Sequence, residues 1–280
     1  MRKLFVMAAL LLSVVGAMAQ DDKPSVLVEK FTNKSTGNNS VCNAVQQAIV
    51  SGLVSTGRLT VVDAGTMADL PTVKNDRLLF LNDNGIQWMV EGSLNSVSSA
   101  HKSSTISGKT TYYYEGDVNY TLTLINTETG VTSISETYIE SATGDSSDEA
   151  IMRAANDAKG RMNRFVQENF KVEATIKALD EVDNKKGAKS CYISIGSDKG
   201  IENGQIFEVF SQIEIAGEKV DKKIGEVKVQ EVMSGTMSRC TVKNGGPAIK
   251  SAFENQQKIT VRSRPKKESV LGGLGGLLKI

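Results

Sequence analysis

Residues 40–57, SVCNAVQQAIVSGLVSTG, set Val41, Ala44, Val45, Ala48, Ile49, Gly52 and Leu53 at i, i+3, i+4, i+7, i+8, i+11 and i+12. That spacing lines one side of an α-helix with apolar side chains. Ser40 stands where an N-cap is wanted and Gly57 where a helix stops. Short β-branched runs flank the helix: Ser25–Phe31 (SVLVEKF) before it and Leu59–Asp63 (LTVVD) after it. A strand, a one-sided helix and a second strand in close succession lay the helix across a sheet, which decides the fold of the first half.

Working outward, Pro71–Leu81 reads as a shorter helix, and Gln87–Val97 (QWMVEGSLNSV) and Tyr112–Ile125 read as strands. Asn126–Gly130 (NTETG) makes a turn from which Val131–Ser141 returns as another strand. Ile151, Ala154, Ala155, Ala158, Met162, Phe165, Val166 and Phe170 then line one face of a long helix, capped by Ser146 or Ser147. Asp148 and Glu149 sit in its first turn, where the helix dipole favours negative charge. The fold class is α+β or α/β: a mixed sheet covered by amphipathic helices over residues 24–172.

From residue 173 to 264 the texture changes. Tyr192–Ile195, Gln205–Phe210, Ile224–Val232, Met237–Lys243 and Lys258–Val261 are short strand-like runs separated by Gly- and Lys-bearing turns. They indicate a small all-β domain, barrel or sandwich. Gly196, Gly200 and Gly204 share one loop, but no helix pattern follows Gly204, so no helix N-terminus is offered to a phosphate. The glycines read as turns between strands. Residues 265–280 form a Gly/Leu-rich tail in which glycine pairs favour flexibility.

The N-terminus carries an address. Arg2 and Lys3 precede an apolar run from Leu4 to Val15, then Gly16-Ala17-Met18-Ala19. This is the layout of a secretory signal peptide, residues 1–19, with cleavage after Ala19. The run is too short to span a bilayer, which takes about 20 residues, so no transmembrane helix is expected after signal removal. Cys42 is the first cysteine after the junction, so lipid anchoring through an N-terminal cysteine is not expected. The mature chain is expected in the periplasm, with outer-membrane association left open.

Composition excludes more than it names. The chain has 280 residues, 33 Lys+Arg against 32 Asp+Glu, and one histidine. Residues 20–172 hold 13 basic and 18 acidic side chains, and 173–264 hold 15 and 13. No cationic excess exists to neutralise phosphates, so no nucleic-acid partner is expected. His101, in the Ser-rich stretch Ser96–Ser107, reads as a surface residue of a mobile hairpin or loop. No H-E-x-x-H, C-x-x-C, G-x-x-x-x-G-K-[ST] or G-x-S-x-G occurs. No catalytic residue, cofactor site or metal site is therefore expected, and the protein reads as a non-enzyme.

Two features remain. Cys191 and Cys240 both fall in strands of the second domain, where a disulfide could bridge them, although three unpaired thiols fit equally well. Cys42 is placed on the polar side of the first helix, near its start. Tyr112, Tyr113 and Tyr114 form an aromatic run beside polar Ser103–Thr111 (SSTISGKTT), and read as a protein-contact hairpin. A lipid-facing strand would alternate apolar residues over roughly 10 positions, which this one does not.

The first domain resembles the curli production assembly/transport (CsgG-like) family. The resemblance rests on SVLVEKFTNKSTGNN (25–39), GLVSTGRLTVVDAGT (52–66), GIQWMVEGSLNSV (85–97), YTLTLINTETGVTSISETY (120–138) and the closing helix. Penicillin-binding-protein activator lipoproteins and the TolB N-terminal domain share the fold that this resemblance implies. The second domain is similar to the small C-terminal β domain of flagellar assembly protein T, through Ile195-Gly196-Ser197, Gly200-Ile201, Gly204 and Phe207-Glu208-Val209-Phe210. The resemblance implies a cell-envelope accessory or scaffold protein for outer-membrane secretion or surface assembly. Its partners would be other envelope proteins, with homo-oligomerisation and peripheral membrane contact left open. An oligomeric outer-membrane channel component and a periplasmic activator of a cell-wall synthase are the alternatives it implies.

Overall fold

The computed structural model describes residues 23–36, 39–67 and 69–264. The signal segment with Ala19 and the tail 265–280 lie outside the described residues. The first half runs β1 (Ser25–Val28), β2 (Thr32–Asn33), α1 (Asn39–Ser55), β3 (Thr60–Asp63), α2 (Lys74–Asp83), β4 (Trp88–Ile106), β5 (Lys109–Asn126), β6 (Thr132–Gly144) and α3 (Ser147–Asn169). Its sheet has the order β3-β1-β4-β5-β6, with β2 added alongside β4. The β3–β1 and β1–β4 pairs are parallel, and β4–β5 and β5–β6 antiparallel, so the sheet is mixed.

Strand alternation sorts the core into two layers. Val26, Val28, Val90, Val118, Tyr120, Leu122 and Leu124 face α1 and α3. Their neighbours Leu27, Met89 and Ile125 face the opposite way and pack with Leu78 and Leu81 of α2. α1 buries the residues its spacing selected except Ala44, which is half-buried against the same core, and Gly57 follows it at φ +65°. The helix opens at Asn39, so Ser40 lies within it and not at its cap. Cys42 is a correction too: it is buried on the core side, because the first turn of α1 tucks beneath Phe31, whose carbonyl oxygen accepts from its Sγ at 3.9 Å. Ser146 caps α3, its Oγ accepting from the Glu149 N–H, while the Glu149 carboxylate accepts from the Asp145 N–H. The Glu149 side chain thus reaches one residue beyond the N-cap, a variant of the capping box that fastens the entry to the helix.

The second half runs β7 (Glu173–Leu179), β8 (Val182–Asp183), β9 (Gly187–Ala188), β10 (Ser190–Ile193), β11 (Ile206–Ile215), β12 (Glu218–Val232), β13 (Ser238–Asn244), α4 (Gly246–Glu254) and β14 (Ile259–Arg264). Six strands close a barrel in the order β10-β13-β12-β11-β14-β7, every pair antiparallel. Phe207, Val209, Val227, Val229, Cys240 and Val261 fill the interior, joined by Ile249 and Ala252 of α4. The expectation of strands alone missed this helix. Its signals were Pro247 at the first turn and Ile249, Ala252 and Phe253 at helical spacing.

Candidate functional site: the β4–β5 ribbon

The Ser-rich stretch is not a loop. β4 continues without interruption to Ile106, paired residue by residue with β5 from Ser96↔Asn119 to Ile106↔Lys109. Polar side chains do not prevent a strand when the partner's backbone satisfies every ladder position, and here hydroxyls also bond across it, Thr105 to Thr110 at 2.9 Å. Ser107 (φ 52°) and Gly108 (φ 80°) form the connection. Two positive-φ residues make the tight turn whose twist matches that of an antiparallel pair.

β6 does not follow β5 along this length. Its last partner is Gly144, opposite Tyr114. There the first turn of α3 presses onto the sheet: a Cβ on Gly144 would lie 2.7 Å from the Ala150 nitrogen, and one on Gly116 would lie 2.5 Å from the Ile151 nitrogen. Two glycines thus let the helix start touch the sheet, and β6 turns away into it. Past that point Lys102–Ile106 and Lys109–Tyr113 project as a two-stranded ribbon. Its root is fastened by a Ser99–Ser147 hydroxyl bond of 2.6 Å.

Register splits the tyrosines. Tyr112 and Tyr114 lie on one face with His101, and Tyr113 lies on the other, opposite Lys102. The His101 ring stacks on Tyr112 with centroids 5.6 Å apart and planes 2° from parallel, and meets Tyr114 at 5.0 Å. Tyr112 is 65% exposed and Ile106 50%. The opposite face carries the Lys102–Glu115 ion pair at 3.7 Å. The surface has aromatic planes and hydroxyls for contact, and its one imidazole is stacked on Tyr112 and tilted 54° to Tyr114.

The other sequence candidates lie elsewhere. Cys191 and Cys240 are directly opposite each other on β10 and β13, both buried within the barrel, and are free thiols. Burial pushes the Cys191 thiol up to about 12, and pushes Cys240 up as well. Such thiols stay protonated and poorly nucleophilic at neutral pH. Among the described residues no three His, Cys, Asp or Glu side chains group as metal ligands would. No helix among them is long and apolar enough to cross a membrane.

A buried polar cluster went unforeseen. Glu140 on β6 accepts from Tyr120 Oη at 3.2 Å and from Arg161 Nε and Nη2 at 2.9 and 3.0 Å, while Tyr138 donates to Glu136. Burial, then the neighbouring Glu140, raises the Tyr120 phenol far above its ordinary range; burial and Glu136 do the same for Tyr138. Every carboxylate oxygen of Glu140 is engaged in tying α3 to the sheet, and both phenols are locked protonated. The cluster is a clasp between α3 and β5–β6. Glu140 stood in the strand's alternating pattern, and only its position opposite Arg161 reveals the pairing.

No protein-family model and no curated protein matches the chain. Solved structures share part of the architecture at low identity. The PelC dodecamer from Paraburkholderia phytofirmans is 16% identical, over 51% of this chain and 85% of that one, at a TM-score of 0.33. Lipoprotein GNA1162 from Neisseria meningitidis is 15% identical over 46% and 90%, at 0.32. The LpoB C-terminal domain from Escherichia coli is 13% identical over 45% and 87%, at 0.31. Similarity at this level transfers no activity, partner or assembly.

Proposed function

We propose that the chain is an exported, non-catalytic cell-envelope protein of the curli production assembly/transport type, acting as an accessory or scaffold that holds another envelope protein on the β4–β5 ribbon. One observation carries this reading: the ribbon leaves the sheet beyond Gly144 with Tyr112 and Ile106 exposed on a strand pair that is otherwise rigidly laddered. Aromatic side chains on a pre-ordered backbone supply contact area at little conformational cost. The signal segment supports the compartment, and the quoted sequence motifs support the family.

The channel reading finds less support. Each projecting strand contributes five residues, Lys102–Ile106 and Lys109–Tyr113. A membrane-crossing strand needs about 9–11, with every second side chain apolar.

The test is site-specific photo-cross-linking in the envelope from position 112, compared with position 123 on the body of β5, followed by fractionation. A discrete adduct from 112 that is lost when the neighbouring ring on the same face is removed by Tyr114→Ser is expected, with the protein recovered in the soluble periplasmic fraction or loosely on the outer membrane. Adducts of equal yield from both positions would remove the ribbon from the interaction. Ring-shaped particles extracted only by detergent would replace the scaffold reading with the channel.

A further inference from the structure

Where the turn after α1 meets the barrel, Arg58 is 5% exposed. Its Nε donates to the Gly200 carbonyl oxygen at 3.3 Å, but its Nη1 is shielded from solvent and has no hydrogen-bond partner. A guanidinium nitrogen buried without an acceptor is costly, and such groups normally have a partner. Desolvation lowers the Arg58 pKa, opposed by the field of Glu202.

Beside Arg58 lies a cavity of about 210 Å³. Lys171 and Lys199 line it with Arg58, over an apolar floor that includes Phe170 and Ile195. Neither lysine forms an ion pair among the described residues. Glu173 also lines the cavity, but its carboxylate accepts from Arg262 Nε at 2.6 Å and is held by that partner. Three cationic side chains therefore surround one small volume, with a single carboxylate on its wall already neutralised from outside. The cavity is smaller than the ~300–1,000 Å³ of pockets that take drug-sized ligands, which limits an occupant to a few heavy atoms.

We propose that this cavity binds a small oxyanion of the phosphate or carboxylate class, held by Arg58, Lys171 and Lys199 between the α/β half and the barrel. A planar guanidinium donates to two oxygens of such an anion, and two ammonium groups balance its charge. The occupant would then stabilise the folded chain by mass action.

Thermal unfolding of the full mature chain, titrated with phosphate, acetate and chloride at fixed ionic strength, tests this. Phosphate or acetate should raise the melting temperature with one-site saturation, and chloride should not; the first two arms separate the two anion sources. Lys199→Gln and Lys171→Gln, at surface-reaching positions that fold without strain, should each weaken the apparent affinity about tenfold. Arg58→Met should abolish the response while melting no lower than the parent in chloride, because an unpaired buried charge is exchanged for an apolar side chain. Identical responses to the three salts would overturn the site. So would undiminished affinity in both lysine variants, which decide the matter even if Arg58→Met does not fold.

Discussion

The sheet of the α/β half ends in β3 on one side and β6 on the other, whereas the six strands of the barrel close on themselves. Closure removes unpaired strand edges, and an open sheet keeps them. Both halves nevertheless push out a hairpin beyond its neighbours. β11 and β12 continue past the last β14 partner, Ser211↔Ile259, to a turn at Ala216 (φ 53°) and Gly217 (φ 87°). The β4–β5 ribbon has the same turn conformation at Ser107 and Gly108. The chemistry differs: the barrel's ribbon is dense in Glu214, Glu218, Lys219, Asp221 and Lys222 beside exposed Ile215 and Val220, while the sheet's carries Tyr112 and Tyr113, with His101 and Tyr114 at its root. Equal turn geometry thus carries a charged surface in one case and an aromatic one in the other.

The comparison breaks most readily at the two cores. Phe207 is fully buried in the barrel, and Phe165 of α3 is 1% exposed in the other core. Phe207→Ala should cost about 3–5 kcal/mol. The single tryptophan, Trp88, packs edge-on against Phe170 at 5.7 Å and reports on the α/β half. In urea, Phe207→Ala should move the far-ultraviolet transition to lower denaturant while leaving the Trp88 fluorescence midpoint nearly in place. Phe165→Ala should lower the Trp88 midpoint together with the helical part of the far-ultraviolet signal, since α1, α2 and α3 lie in that half. A Trp88 midpoint displaced by Phe207→Ala as far as the far-ultraviolet transition would show one cooperative unit.

The next largest effect belongs to the clasp. Glu140→Gln keeps the shape of the side chain but withdraws the charge from Arg161. A charge-assisted bond contributes about 1.5–3 kcal/mol; since Arg161 is nearly a third exposed, solvent recovers part of it, and a loss of about 1–2 kcal/mol is expected. An unchanged unfolding midpoint would remove the clasp from the account. A smaller change follows from the turn. Gly108→Ala places a Cβ at φ 80° and should cost about 1 kcal/mol, felt locally as faster amide exchange across Lys102–Tyr113 with the body of the sheet unaltered. Uniform protection throughout would mean that the ribbon does not open independently.

Much of this organisation was legible in the chain, for reasons particular residues make clear. Val41 to Leu53 and Ile151 to Phe170 announce their helices because a one-sided apolar face has only one period that fits it. Ser146 and Ser147 before the acidic pair Asp148 and Glu149 announce a helix start, and the structure selects Ser146 as the cap. Legibility failed where a residue's state is set by its partner and not by its own pattern. Ser96–Ile106 is polar on both faces and is a strand only because β5, its hairpin partner, pairs with it. Cys42 is hidden by Phe31, and the grouping of Arg58 with Lys171 and Lys199 joins three separate segments. The tyrosine run was conspicuous and strand alternation separates Tyr113 from the other two, but only register shows that His101 joins Tyr112 and Tyr114.

Carboxylates sharpen the comparison in its last and smallest respect. Glu140 joins two elements of the α/β half, whereas Asp183, at the end of β8, bonds its own neighbours in the turn to β9. Its Oδ1 accepts from the Lys186 and Lys185 N–H groups at 2.8 Å each, and Lys189 Nζ lies 3.2 Å from Oδ2. Those backbone donors, in that order, and then Lys189 hold its carboxyl down to about 2. A depressed carboxylate stabilises the fold above its unfolded value, about 3.9, and the contribution is lost as pH falls through the folded value. Stability should therefore decline between about pH 4 and pH 2 by a small Asp183-dependent increment. Asp183→Asn retains an oxygen for both N–H groups and removes the titration, so its stability difference from the parent should shrink towards zero across that window. A difference that stays constant with pH would mean that the turn geometry, and not the charge, is what the aspartate supplies. Carbon-detected NMR titration of the side chain gives the same answer independently, since a midpoint in the ordinary aspartate range would show that the two backbone donors do not hold it.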